Sequence, residues 1–290
     1  MEKNNNSTKS SFITQDSDQQ AEKIQKHRVA FCIGYIGTGF SGLQYPTVRT
    51  VEGVLEHAIH QAGCISDMNA GQLTKIGWGR CARTDKGVHA AAQVVSLKLL
   101  YKDPQTIIER INNHLPPEIR VHDFQKTTAR FSAKNWCNGR TYRYLIPLFA
   151  FEKGSFAGVS KIFTRQSWVS CQRIIKKISV TRSLNKPNIL TSSSSSSSES
   201  SHLTASSGSS ENQYDSLVVD GVPMVEIQIV GQSFIFHQIR KMIGTIIAVV
   251  RGVAPADFID LAFSEREVPV PLAPSTGLFL ERISSLAGNT

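Results

Sequence analysis

A run of charged and small residues, Gly79-Arg80-Cys81-Ala82-Arg83-Thr84-Asp85-Lys86-Gly87-Val88-His89-Ala90, lies between two apolar stretches. A carboxylate in such a setting can act as a nucleophile or a general base. Arg83, two residues before Asp85, can hold it ionised by charge pairing, and Gly87 lets the backbone turn sharply and approach a ligand. Taken alone, Arg-x-Asp-x-Gly reads first as an exposed turn with a weak salt bridge, so its neighbours must decide.

Three further segments bear on that choice. Tyr142 and Tyr144 share one face of the stretch Gly139 to Ile146, interleaved with Arg140 and Arg143. That suits stacking on a base while holding phosphate, and it also suits aromatics packed within a sheet, the reading favoured for Tyr144. Gly231 to Gly244 opens an otherwise apolar helix with a polar, basic first turn, and Arg240 and Lys241 there need a partner or a cavity. Gly34-Tyr35-Ile36-Gly37-Thr38-Gly39 is a weak dinucleotide fingerprint, because no helix opens directly after it.

The elements that must carry these residues are legible from spacing. Val29, Phe31, Ile33 and Tyr35 alternate as a strand beginning near Arg28. Thr50 can cap a helix with Val51, Val54, Leu55, Ala58, Ile59 and Ala62 on one face, and Gly63 can stop it. Strands are expected at Lys75 to Trp78, Gln93 to Leu99, Ile119 to Phe124, Arg140 to Ile146, Val225 to Ile229 and Leu278 to Arg282. Helices are expected from Pro104 through Ile111, from Phe236 to Val250, and again from Pro255. Strands and helices intermix, and antiparallel connections are plausible, so the class is α+β.

The 290 residues carry 32 Lys and Arg against 23 Asp and Glu, a formal charge of +9 that favours a polyanionic partner. Five scattered cysteines, with none in a Cys-x-x-Cys pair, suggest a reducing compartment and no zinc. The polar N-terminus reads as neither signal nor transit peptide, no apolar stretch is long enough to span a membrane, and nucleus and cytoplasm both fit. We expect a disordered tail at 1–27, an N-terminal half of the catalytic domain at 28–147 and a C-terminal half at 148–290. A disordered serine-rich insertion is expected within the latter at 185–215.

Taken in order, these segments resemble the tRNA pseudouridine synthase family that modifies the anticodon stem-loop and neighbouring positions. The wording Cys81-Ala82-Arg83-Thr84-Asp85-Lys86-Gly87-Val88 is similar to its eukaryotic branch. Further matches are Ile111 to Pro116, Arg130 to Lys134 and Val270 to Pro274. The resemblance covers about Arg28 to Ile283 without the serine tract, and several ordered motifs are far more specific than one.

The resemblance implies a mixed, largely antiparallel sheet with flanking helices, in two similar halves around a central basic cleft. It implies Asp85 as the catalytic aspartate, Arg83 as the arginine that helps displace the target base, Tyr142 as the tyrosine stacking on that base, and Arg240 as the basic partner of Asp85. The implied activity is isomerisation of tRNA uridines to pseudouridine without cofactor or metal, with other RNAs as further candidate substrates. The alternative is a tRNA-binding protein of the same fold with little turnover. Phe149 to Ser167 departs from the family, being short and lacking a helix and a Gly-Thr-His loop that similar proteins carry there.

Overall fold

In the computed structural model, residues 25–44, 48–152, 160–161, 174–182, 217–264 and 268–285 are described. Residues 1–24 of the expected tail, the serine-rich insertion and most of the shortened segment after Phe149 lie outside them, while Lys26 and His27, expected within the tail, already belong to the first strand.

Alternating apolar residues build a nine-stranded sheet. Its path runs through β4 (Ile119–Lys126), β1 (Lys26–Tyr35), β3 (His89–Leu100), β11 (Leu278–Ser285), β5 (Cys137–Pro147), β9 (Val222–Gly231) and β7 (Ile175–Arg182). The short β2 (Gly79–Arg80) pairs with β3, and β8 (Leu217–Val219) pairs with β9. Every pairing is antiparallel except β11 with β3. A two-stranded patch joins β6 (Ser160–Lys161) to β10 (Pro271–Leu272). The architecture is therefore mixed α+β with a largely antiparallel open sheet, as the sequence suggested.

Five helices complete the described residues: α1 (Val51–Gln61), α2 (Ile107–Asn112), α3 (Ala133–Trp136), α4 (Gln238–Val250) and α5 (Phe258–Phe263). Thr50 caps α1, its hydroxyl accepting from the Gly53 N–H, and Gly63 follows the helix with φ +71°. Val51, Leu55, Ala58 and Ile59 of α1, Ile107 and Ile111 of α2, and Ile239, Ile243 and Ile247 of α4 are all buried. They share one core with Val29, Phe31, Ile33, Val95, Leu97, Ile227 and Ile229 of the sheet. Among the described residues, no helix is long and apolar enough to cross a membrane.

Four local expectations fail for physical reasons, the first being the helix expected from Pro255, which starts only at Phe258 after a turn closed by the Phe258 N–H on the Pro255 carbonyl at 3.0 Å. Lys75 to Trp78 is not a strand but successive turns, with Gly77 N–H bonded to Thr74 and Trp78 N–H to Leu73, and Gly77 at φ +62°. Pro104 does not open α2. Asp103 accepts from the Gln105 N–H in a local turn, and the helix starts three residues later. Phe236 lies before α4 and is exposed, because the chain is still turning there.

One row of paired residues crosses the centre of the sheet. Tyr35 of β1 faces Ala90 of β3, Ala90 pairs with Leu280 of β11, Leu280 with Tyr142 of β5, and Tyr142 with Ile229 of β9. The charged loop that precedes β3 ends at the edge of this row.

Candidate active site

The loop from Cys81 to Val88 is polar yet half-buried, so its main chain must find partners within the protein. The fully buried Gln93 of β3 provides two, accepting from the Ala82 N–H at 3.2 Å and donating to the Ala82 carbonyl at 2.8 Å. Arg140 of β5 donates to the Cys81 carbonyl. The Thr84 hydroxyl bonds the Tyr35 hydroxyl at 2.8 Å, and the Thr84 carbonyl accepts from the Leu43 N–H at 3.1 Å. The glycine-rich segment after β1 packs directly on this loop. A Cβ at Gly37 would stand 2.0 Å from the Val88 carbonyl oxygen, and one at Gly42 would stand 2.9 Å from that of Thr84. Gly37 and Gly42 are thus required by close backbone contact with the Asp85 loop, whereas Gly34 lies against the His122 side chain and Gly39 has positive φ, +82°.

Asp85 occupies the middle of the loop, its side chain about 20% exposed. Burial raises its pKa above the ordinary carboxylate value, while the positive charge of Arg240 and a hydrogen bond from the His237 main chain pull the other way. Arg240 lies on the first turn of α4. Burial weakens its hold on its proton, opposed by the negative charge of Asp85, and its Nε donates to the Ala273 carbonyl at 2.7 Å. Arg240 and Asp85 thus act on one another through their fields.

Beside these residues opens a cavity of about 290 Å³. Thr38 to Phe40 form one wall, Lys86 and Gly87 another, Arg240 a third, and Ser275 with Thr276 close it from the segment before β11. Four stretches remote in sequence therefore meet at one opening, with hydroxyls and two cations around it.

The other sequence candidates fall differently. Arg83 is exposed, forms no ion pair with Asp85, and its charge is felt instead by Glu52. Charge pairing of Arg83 with Asp85 is thereby overturned: the arginine whose charge acts on Asp85 comes from 155 positions later, brought there by the fold. Tyr142 is 6% exposed, meets the Phe234 ring edge-on at 5.3 Å, and senses the charge of Asp85. Burial keeps its phenol protonated well above the usual range. Tyr144 is a packing residue, its hydroxyl donating to the Pro274 carbonyl at 2.7 Å. The arginines interleaved with these tyrosines do not face outward for phosphate. Arg143 bridges Glu226 and Glu281 at 2.6 Å each, and Arg140 is bonded to the Cys81 and Gln232 carbonyls.

Residue chemistry alone had passed over His237, Thr38, Ser275 and Thr276. Hydroxyls carry no sequence signal of their own, and they become visible only when the fold brings them to the cavity. No cluster of three or more His, Cys, Asp or Glu suited to a metal occurs among the described residues.

A family model described as tRNA pseudouridine synthase matches residues 163–284. The chain is 35% identical over 272 residues to the pseudouridylate synthase 1 homolog of Mus musculus, covering 92% of this chain and 63% of that protein. It is 35% identical over 259 residues to the pseudouridylate synthase 1 homolog of Homo sapiens, covering 88% and 59%. The tRNA pseudouridine synthase 1 of Candida albicans is 30% identical over 352 residues, with coverage of 90% and 57%. The chain thus spans about three-fifths of the length of these curated relatives.

Proposed function

Because the chain belongs to the tRNA pseudouridine synthase family, we propose that it isomerises uridines of tRNA to pseudouridine with Asp85 as the catalytic carboxylate. The observation that carries this reading is one half-buried carboxylate, under the field of Arg240, in the loop whose next two residues, Lys86 and Gly87, line a cavity rimmed by hydroxyls and cations. The isomerisation breaks the glycosidic C1′–N1 bond, turns the uracil over and joins C1′ to C5. The proton lost from C5 balances the one gained at N1, so no outside reactant is consumed.

Asp85 supplies the nucleophile or base for this sequence. Burial makes the carboxylate more basic than one in water, and the positive charge of Arg240 favours its ionised form. The target base must first leave its stack at a cost of a few kcal/mol. In this reading Arg83, exposed two residues before Asp85 and free of an ion pair with it, enters the vacated place. Tyr142 remains an uncharged phenol, so its ring can pack against uracil without adding negative charge beside Asp85.

The test is single-turnover pseudouridine formation on a saturating tRNA transcript, with binding followed by filter retention. Wild type should form pseudouridine, and Asp85→Asn should bind while turning over at least ~10⁴-fold more slowly, roughly 5.5 kcal/mol in the barrier. Binding by wild type without product would leave a tRNA-binding protein. Asp85→Asn turnover within tenfold of wild type would return the loop to a charged surface turn.

A further inference from the structure

The cavity of about 290 Å³ next to the Asp85 loop is lined by neither Asp85 nor Tyr142. A base held between that carboxylate and that phenol leaves it empty, so its lining has to be read for a different ligand. The lining holds two cations, Lys86 and Arg240, and no carboxylate. Two positive groups at one opening repel each other, a cost that an anion between them removes. Arg49, over the Phe40 ring at 4.6 Å, adds a further positive charge to the neighbourhood.

Hydroxyls make up much of the remainder. Thr38, Ser275 and Thr276 form no side-chain hydrogen bond among the described residues, so each can donate to a ligand. Ser275 is brought in close: a Cβ at Gly87, where φ is +78°, would stand 2.6 Å from Ser275 Oγ, which places that hydroxyl on the turn directly after Lys86. The Ser275 carbonyl accepts from the Leu278 N–H at 3.0 Å, fixing the segment where it enters β11. Arg240 is tethered by its Nε to the Ala273 carbonyl at 2.7 Å. Thr38, Gly39, Lys86 and Thr276 are exposed while Ser275 and Arg240 are half-buried, so the opening is accessible to a chain passing across it. Lys and Arg together with Ser and Thr hydroxyls are the side chains that grip a nucleic-acid phosphate.

We propose that this cavity is a phosphate subsite, in which Lys86, Arg240 and the hydroxyls of Thr38, Ser275 and Thr276 hold a phosphodiester adjoining the uridine presented to Asp85. The proposal rests on the reading of Asp85 as the catalytic carboxylate and says what the space beside it receives. A uridine within RNA has a phosphate on either side of its ribose, so bringing C1′ to Asp85 brings a phosphate into the same neighbourhood. Carboxylate and phosphate repel each other, and Arg240, which lines the cavity and acts on Asp85, is the cation that serves both. A phosphate held there orients the ribose without touching the bonds that change.

A pair of variants of equal shape tests it. Gly39 has φ +82°, and a Cβ there meets nothing within 4 Å, so a side chain at this position on the cavity wall has room. Asparagine and aspartate both tolerate the left-handed conformation and differ in charge. Filter binding of a tRNA transcript should be at least about tenfold weaker for Gly39→Asp than for Gly39→Asn at about 50 mM salt, and the gap should narrow as salt rises. A second set is independent of that backbone. Ser275→Ala combined with Thr276→Val should weaken tRNA binding about tenfold and slow the single-turnover rate less than it weakens binding. Lys86→Gln added to this pair should cost less affinity than Lys86→Gln alone, because all three groups hold one phosphate. Equal affinities for Gly39→Asp and Gly39→Asn would overturn the proposal, as would native affinity after loss of both hydroxyls. A loss of rate with affinity unmoved would assign the cavity to the turning base instead. Failure of the underlying reading looks different, since wild type would then bind tRNA and make no pseudouridine.

Discussion

At the scale of single residues, Asp85 combines two opposed demands, since burial makes it a stronger base and also penalises its charge in the folded protein. Its folded pKa lies above the unfolded one, so between those two values the native state binds more protons. Stability therefore falls as pH rises through that window, and the cost persists at neutral pH. Asp85→Asn should accordingly raise the melting temperature near pH 7, with the gain fading as pH drops below the ordinary carboxylate range. Thermal denaturation of both proteins at several pH values checks this, and a variant less stable than wild type at pH 7 would contradict it. The residue itself was legible in the sequence because a charged loop between apolar strands is conspicuous. Its partners were not, since Arg83 is a neighbour in the chain and Arg240 a neighbour in space.

At the scale of elements, the approach of α4 to the segment carrying β10 decides whether Arg240 reaches the cavity. The Arg240 carbonyl accepts from the Ala273 N–H at 3.1 Å while its Nε donates to the Ala273 carbonyl, so the side chain is held at both ends by one residue. This contact is possible because Gly244, one turn further on, lies against Pro271, where an added Cβ would stand 2.4 Å from the Pro271 carbonyl oxygen. Gly244→Ala should therefore push the two segments apart, costing about 1–3 kcal/mol of stability. It should also slow pseudouridine formation more than it weakens tRNA binding. Chemical denaturation with parallel single-turnover assays would show it, and an alanine variant with native stability and rate would argue against the contact. The long elements were readable because a period of two or of 3.6 recurs over many residues. Short ones failed where local hydrogen bonds compete, as in the turns at Lys75 to Trp78 and the Asp103 turn that delays α2.

At the scale of the whole molecule, the formal charge of +9 bears on how a polyanion is met. Each phosphate neutralised by Lys or Arg releases counterions, so tRNA affinity should fall by at least about tenfold between 50 and 200 mM salt. Filter binding across that range measures it, and a flat response would remove electrostatics as the main source of affinity. Replacing Lys86 on the cavity wall by Gln should reduce the salt slope by roughly one unit if that side chain meets a phosphate. The intramolecular ion pairs of Arg143 leave it out of this count, which total charge alone could not reveal.

The row from Tyr35 through Ala90, Leu280 and Tyr142 to Ile229 also sets an order in time. Its central member comes from β11, and Phe279 pairs with His89 across 190 positions of sequence. A ribosome releases the Asp85 loop and the Tyr142 strand long before the segment that joins them. Until residues near 280 emerge, β3 and β5 lack the strand that lies between them, and a nascent chain holds the Asp85 carboxylate apart from Tyr142. Closing so long a loop is slow relative to local folding. Catalytic competence should therefore appear late in synthesis, after much of the secondary structure has formed, and a chain ending at Gly277 should retain helices yet lack the joined site.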